Sequence, residues 1–339
     1  MALSASSRFP LTADLEICRL LNGMWQVSGA HGAIEPGRAV EDMLAYHGAG
    51  FTTWDLADHY GPAEDLVGAF RRRLAAARGA DSLSEIQAFT KWVPYPGPMT
   101  RRAVEDAVDT SRRRMGVDRL DLLQFHWWDY ADAGYLDALE HLADLREEGK
   151  IRHLGLTNFD TERLGLIAGR GVAIVSNQVQ YSLIDRRPEI RMAPFCRDHR
   201  ITLLAYGAVL GGLLSEQWLG RPEPHRAEFG TASLQKYKNM IDAWSGWPLF
   251  QELLAVLKNI ADKHRVGIAN VGMRYVLDRP AVAGVIVGAR LGLAQHRAAN
   301  ARVFGWSLDD GDLALIETVL ARSRDLMTVI GDCGDEYRR

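Results

Sequence analysis

From residue 19 to residue 305, short apolar or β-branched runs alternate with stretches of helical period. Eight runs read as strands: 20–25, 52–55, 86–91, 120–126, 151–156, 174–178, 202–205 and 282–287. Between and after them lie helical patterns near 39–48, 62–77, 100–115, 135–148, 160–168, 189–199, 250–265 with 267–278, and 294–303. Such alternation marks βα units and a parallel sheet, whose neighbouring strands need long crossovers. A closed (β/α)8 TIM barrel and an open doubly wound sheet both satisfy the pattern. Eight units with no long linker or composition break favour the barrel, as a single domain over 1–339. An extra helix is expected over Leu308–Ser323, opening on Asp309 and Asp310, where negative charge suits the helix dipole.

Two segments escape this rhythm. After the seventh strand, residues 207–248 carry Gly211, Gly212, Pro222, Pro224, Gly230 and the Trp244-Ser-Gly-Trp247 break. A connection of that length in a barrel is expected to be functional, here as a substrate or cofactor loop. The tail over 324–339 can either cover a pocket or hang free.

Composition narrows the classes. A chain of 339 residues, 47% hydrophobic and 24% charged, accommodates a barrel plus loops. A net charge of -3 supplies no basic field, so neither nucleic acid nor a membrane surface is an expected partner. Three distant cysteines, Cys18, Cys196 and Cys333, form neither a disulfide framework nor a zinc spacing, and the histidines show no ligand motif, so no metal is expected. The longest apolar stretch, 201–214, contains three glycines and is too short for a bilayer core of about 30 Å. With no signal-peptide pattern at the start, a cytoplasmic setting is expected. The run Gly48-Ala-Gly50 precedes a strand instead of following one and reads as a helix-to-strand turn, not a dinucleotide fingerprint.

In a barrel the chemistry sits at the carboxyl ends of the strands. Those ends supply Asp55, Lys91, His126, Thr157-Asn158, Gln178 and Tyr206, with Tyr60 in the loop after the second strand. Taken singly, each has an ordinary role: a helix cap, a surface charge, a core imidazole, a half-buried ring. Together an acid, an ammonium, an imidazole and a phenol suit proton donation by the phenol. An ammonium about 4 Å from a phenolate gains about 4 kcal/mol at an effective dielectric of 20, or roughly 3 units off a reference pKa near 10. Asp55 is expected to hold Lys91 charged, and His126 to orient a substrate carbonyl.

These residues lie in longer motifs. The stretch from Gly50 through Asp55, Ala57, Tyr60-Gly61 and Glu64 to Val67-Gly68 resembles the signature of the aldo-keto reductase family. Further matches follow in order: Thr90-Lys91, Asp121 to Trp127, Ile151 to Phe159, Asn177 to Ser182, Leu204 to Tyr206, Leu210 to Leu214, and Val287 to Arg290. The resemblance covers most of the chain and implies a (β/α)8 barrel acting on a small-molecule carbonyl substrate. It implies a catalytic tetrad of Asp55, Tyr60, Lys91 and His126, with Tyr60 as general acid. It also implies an extended nicotinamide cofactor: Asn158 and Gln178 on the carboxamide, Tyr206 stacked on the ring, and Trp25 and Thr157 nearby. Gly207, Val209, Gly211, Gly212 and Leu213 would cover the diphosphate, and Gly288, Arg290, His296 and Asn300 would surround the adenosine end.

Arg290 can pair a 2′-phosphate, so NADP(H) is expected over NAD(H). The nucleotide segment is slightly longer than the family pattern, however, and Gly207-Ala208 replaces its usual Ser-Pro. Trp25, Trp92 and Trp127 are expected to wall an apolar substrate pocket. The competing readings are an NAD(P)+-dependent sugar or alcohol dehydrogenase and a cofactor-binding, redox-sensing regulatory subunit. Oligomeric state is left open.

Overall fold

A two-stranded antiparallel hairpin, β1 (Arg8–Thr12) with β2 (Leu15–Cys18), precedes every element that the hydrophobic pattern marks. The computed structural model describes residues 3–29 and 34–338. Eight parallel strands follow the hairpin: β3 (Leu20–Gly23), β4 (Thr53–Asp55), β5 (Gln87–Trp92), β6 (Leu120–His126), β7 (Ile151–Thr157), β8 (Ser176–Gln180), β9 (Thr202–Tyr206) and β10 (Val282–Gly288). Each pairs with its sequence neighbour, and β10 closes on β3, so the sheet is a complete barrel.

Helices α1 (Pro36–Gly48), α2 (Ala63–Arg78), α3 (Arg101–Met115), α4 (Gly134–Glu147) and α5 (Thr161–Gly169) follow β3 to β7 in turn. The short α6 (Arg187–Ile190) and α7 (Met192–Asp198) follow β8. Three helices, α8 (Ala232–Trp244), α9 (Trp247–His264) and α10 (Ile268–Leu277), separate β9 from β10, and α11 (Arg297–Ala301), α12 (Asp310–Leu320) and α13 (Leu326–Val329) complete the chain. Local chemistry sets their limits. In α3, Thr100 caps the Ala103 N–H, Gly116 ends the helix at a left-handed φ of 64°, and Val104, Val108, Ser111 and Met115 form its buried stripe.

Alternation along the strands divides inside from outside. On β6, Leu122 belongs to the interior cluster while Leu123 and Phe125 pack beneath the helices. The interior cluster joins Leu21, Phe89, Leu122, Leu204 and Ala283 of the barrel to Leu11, Leu15 and Ile17 of the hairpin. The hairpin is fixed at the amino ends of the strands, where the Cys18 N–H donates to Thr53 Oγ1 and Arg152 pairs with Asp14. One mouth is therefore plugged with apolar side chains. The polar residues at the carboxyl ends of the strands gather at the other mouth.

The connection over 207–248 differs from its expectation as a loop. It contains three single 3-10 turns and then thirteen residues of helix, α8, capped by Thr231. Tyr237, Met240, Ile241 and Trp244 make its buried stripe, while Lys238, also buried, is neutralised by Glu223 at 2.7 Å and Asp242 at 2.6 Å. That internal ion pairing let a polar-looking stretch bury a helix face.

Candidate active site

Strand ends deliver Asp55, Lys91, His126, Thr157, Gln178 and Tyr206 to one cavity of about 430 Å³, Asn158 follows directly after β7, and the turn after β4 delivers Tyr60 beside them. Lys91 Nζ lies 2.7 Å from Asp55 Oδ2 and donates to the Leu56 carbonyl at 3.0 Å. The two side chains are only 2–3% exposed as residues. Asp55 Oδ1 accepts two amide N–H groups, from Gln178 at 2.7 Å and from Gln124 at 3.0 Å, and Gln178 also donates to Gln124 Oε1. The carboxylate is thus saturated, as a buried charge requires. Gln124 escaped the sequence reading because it stands two residues before the strand end that the motif marks.

Tyr60 sits with its ring centroid 5.1 Å from Lys91 Nζ and edge-on to Trp25 and His59, at 5.0 and 4.9 Å. Its pKa stands above the ordinary tyrosine value because of burial first and then the negative charge of Asp55. This corrects the expectation that Lys91 pulls the phenol down: the ammonium is committed to Asp55, so its field is largely cancelled. Burial also lowers the pKa of Lys91, against the upward pull of Asp55. The phenol is held neutral.

His126 is neutral as well. Burial, then Arg338, His59 and Lys91, push its pKa down to about 3. Its Nε2 is buried with no hydrogen-bond partner among the described residues. So are Thr157 Oγ1 and Gln26 Oε1, and all three residues line the same cavity. Unpaired polar atoms in such a place are costly unless a ligand satisfies them.

Of the residues expected around a cofactor, Trp25, Thr157, Asn158, Gln178, Tyr206, Gly207, Val209, Gly211 and Gly288 line this cavity. Gly212 and Leu213 do not, and neither do Arg290, His296 and Asn300, which lie further along the segment after β10. In that segment Asp42 of α1 accepts from the Gly292 N–H at 2.8 Å and Gln295 at 3.2 Å, and it pairs with Arg297 at 3.5 Å. Arg290 and His296 are exposed. Gly207 has a φ of 81°, and a Cβ there would lie 2.7 Å from the Tyr237 hydroxyl, so only glycine lets this loop lie against α8.

The aromatic wall is Trp25, Trp128 and Tyr337. Trp92 and Trp127, expected in the pocket, are instead buried outside the barrel with Phe125 and Phe159, and the Trp127 indole donates to the Asp129 and Asp132 carbonyls. His126 faces inward, so its neighbour Trp127 must face outward; the register alone predicts this. His59, Ser233, Lys236, Tyr237 and Tyr337 also line the cavity and carried no motif. The last of these comes from the tail, which folds over the mouth.

A (β/α)8 barrel whose open end gathers a phenol, a buried Lys–Asp pair and a neutral imidazole around one cavity is built like an oxidoreductase that works on small molecules. The comparisons agree: residues 19–321 match the aldo/keto reductase family model. The chain belongs to the aldo/keto reductase family. It is 26% identical over 321 residues to aldo-keto reductase YhdN of Bacillus subtilis (strain 168), covering 90% of this chain and 91% of that protein. It is 32% identical over 258 residues to flagellar radial spoke protein 5 of Chlamydomonas reinhardtii, but this match covers 66% of the chain and only 49% of that longer protein. Among solved structures, glycerol dehydrogenase AKR11B4 from Gluconobacter oxydans aligns with a TM-score of 0.75 over 97% of this chain and 98% of its own, at 24% identity, a likeness of fold. Among the described residues no helix is long and apolar enough to cross a membrane.

Proposed function

We propose that the chain is an NADP(H)-dependent reductase of aldehydes or ketones, with Tyr60 as the proton donor. The observation that carries this reading is the cavity itself: a neutral phenol, a neutral imidazole with an unpartnered Nε2, and an ammonium fixed by Asp55 all line one space. The bound nicotinamide would supply hydride to the carbonyl carbon. Asn158, Gln178, Tyr206 and Trp25 would hold it, and the unsatisfied polar atoms of Gln26 and Thr157 suit a ligand rich in hydroxyl and amide groups.

Tyr60 gives its proton to the carbonyl oxygen. As it does so, negative charge grows on the phenol, and the Lys91 ammonium stabilises that charge more than it stabilises the neutral ground state. His126, neutral across the physiological range, can donate a hydrogen bond from Nε2 to the same oxygen without competing for the proton. Trp25, Trp128, Val93 and Ile286 give the cavity an apolar wall suited to aryl or alkyl carbonyls.

A phenol kept protonated supports reduction over the dehydrogenase direction, which needs a base at that position. The intact tetrad likewise weighs against a purely regulatory subunit. For the cofactor, Arg290 is exposed beside the segment that would meet the adenosine ribose, while the nearby carboxylate of Asp42 is engaged by Gly292, Gln295 and Arg297. An engaged acid does not repel a 2′-phosphate as a free one would.

The test is a tryptophan-fluorescence titration with NADPH and separately with NADH, followed by 4-nitrobenzaldehyde and absorbance at 340 nm. Tighter binding of NADPH and its oxidation on adding aldehyde are expected. Binding without oxidation would overturn the reductase reading, and stronger binding of NADH would overturn the cofactor choice.

A further inference from the structure

Four side chains from distant parts of the sequence are joined in one line of hydrogen bonds at the cavity rim. Lys236 Nζ, on α8, is bonded to the Tyr337 hydroxyl. The Tyr337 and Tyr206 hydroxyls are 3.1 Å apart, and the Tyr206 hydroxyl lies 2.8 Å from Asn158 Oδ1. An ammonium only donates. The Tyr337 oxygen accepts from Lys236 and from the Tyr206 hydroxyl, and the same Tyr206 hydroxyl donates to Asn158 Oδ1 at the shorter distance. Glu336 Oε1 is a second acceptor near Tyr206, but at 3.4 Å it is the weaker one. Tyr337, held by Lys236, thus holds the Tyr206 hydroxyl in place beside Asn158 Oδ1, and that hydroxyl sets the orientation of the Asn158 amide. With Oδ1 engaged, the amide N–H groups are what Asn158 has left to offer the cavity.

The tail that brings Tyr337 into this line is firmly seated. Arg187, buried, is forked onto Asp185 at 2.8 Å through both Nε and Nη2, and its Nη1 reaches the Asp332 carbonyl at 3.0 Å and Glu336 Oε2 at 2.9 Å. Gly334, with a φ of 92°, lies against the main-chain carbonyl of Asn158 so closely that a Cβ would stand 2.1 Å from that oxygen. The tail therefore meets Asn158 twice, once through backbone packing and once through two tyrosines.

We propose that residues 331–338 complete the nicotinamide site, with Tyr337 as a positioning residue that turns the Asn158 amide N–H groups toward the carboxamide oxygen of the cofactor. The inference rests on the cofactor reading above. A tail that served only as a wall for the substrate would touch the His126 side alone. This one does reach the His126 side, with ring centroids of His126 and Trp128 6.3 and 6.2 Å from Tyr337 and Arg338 donating to the Trp127 carbonyl at 2.8 Å, but its Tyr337 hydroxyl bonds to the other side of the cavity.

Tyr337→Phe removes one oxygen and keeps the ring. The Kd for NADPH, read by tryptophan fluorescence, should rise roughly tenfold for one lost link of a charge-assisted line. The KM for 4-nitrobenzaldehyde at saturating NADPH and the melting temperature should stay nearly unchanged. Lys236→Met should cause a similar loss, and the double variant should be no worse than either single one, because the line is cut once. An unchanged Kd, a change confined to the aldehyde KM, or losses that multiply in the double variant would each overturn the inference. Wild-type protein that binds no nicotinamide nucleotide would sink the cofactor reading and this inference together. Wild-type protein that binds NADPH but reduces no carbonyl would sink only the function proposed above, and the Kd comparison would still decide this one.

Discussion

Replacing Lys91 by Met removes the cation from a buried pair while leaving a side chain of similar length. Asp55 then keeps only the amide donors of Gln124 and Gln178. Breaking a buried pair from one side typically costs about 3–5 kcal/mol, and two remaining donors put this case near the lower end, at about 3 kcal/mol. Asp55→Asn should cost less, because the stranded ammonium, its pKa already lowered by burial, can shed its proton instead of staying charged. The double variant has no buried charge left, so it should be more stable than the sum of the single losses allows, by roughly 1–2 kcal/mol. Equilibrium urea unfolding of the four proteins, followed by tryptophan fluorescence at pH 7, measures each difference. Additive losses, or a Lys91→Met variant as stable as the parent, would refute the claim that the pair is a coupled, desolvated unit.

Three further outcomes follow from other parts of the molecule. His126 takes up no proton in the folded state until the pH nears its lowered value of about 3, whereas in the unfolded chain it does so near 6.5. Its share of stability should be constant above pH 6.5 and fall as pH drops from 6.5 toward 3, and His126→Gln should flatten that part of an unfolding-midpoint-against-pH curve; an unflattened curve would count against a buried neutral imidazole. Arg290→Ala should raise the Kd for NADPH roughly tenfold while leaving that for NADH within about twofold, since only the former carries the 2′-phosphate; equal effects on both would remove Arg290 from that role. Ile17→Ala, in the hairpin plug, should cost about 2–4 kcal/mol in urea unfolding, and a neutral result would show that the closed mouth is not part of the core.

Strand positions were legible because eight apolar runs are bounded by turn residues, and the strand ends carried the chemistry with them. Register told more than it was asked to: His126 inward required Trp127 outward, and Trp128 then forms the pocket wall. What stayed hidden has physical reasons. The hairpin that plugs the barrel is two short strands in a segment with no helix to pair with. Helix α8 hid its apolar stripe among Lys236, Lys238 and Asp242; the Lys238–Asp242 pair is local, but Glu223 and Tyr337, which also engage these lysines, come from outside the helix. Gln124 looks like any polar residue until Asp55 and Gln178 are seen around it. The pKa of Tyr60 could not be signed from a pairwise Coulomb estimate, because burial and the prior claim of Asp55 on Lys91 outweigh the ammonium. The tail, read as either a cover or a loose end, is tied down by Arg187, some 150 residues earlier in the chain.

The proton-donor role of Tyr60 is the centre of the account, and Tyr60→Phe tests it most directly. The variant should unfold at the parent's midpoint and bind NADPH with the parent's Kd, yet reduce 4-nitrobenzaldehyde roughly 10²-fold to 10⁴-fold more slowly at 340 nm. Reduction at the parental rate by a variant that binds cofactor normally would contradict it.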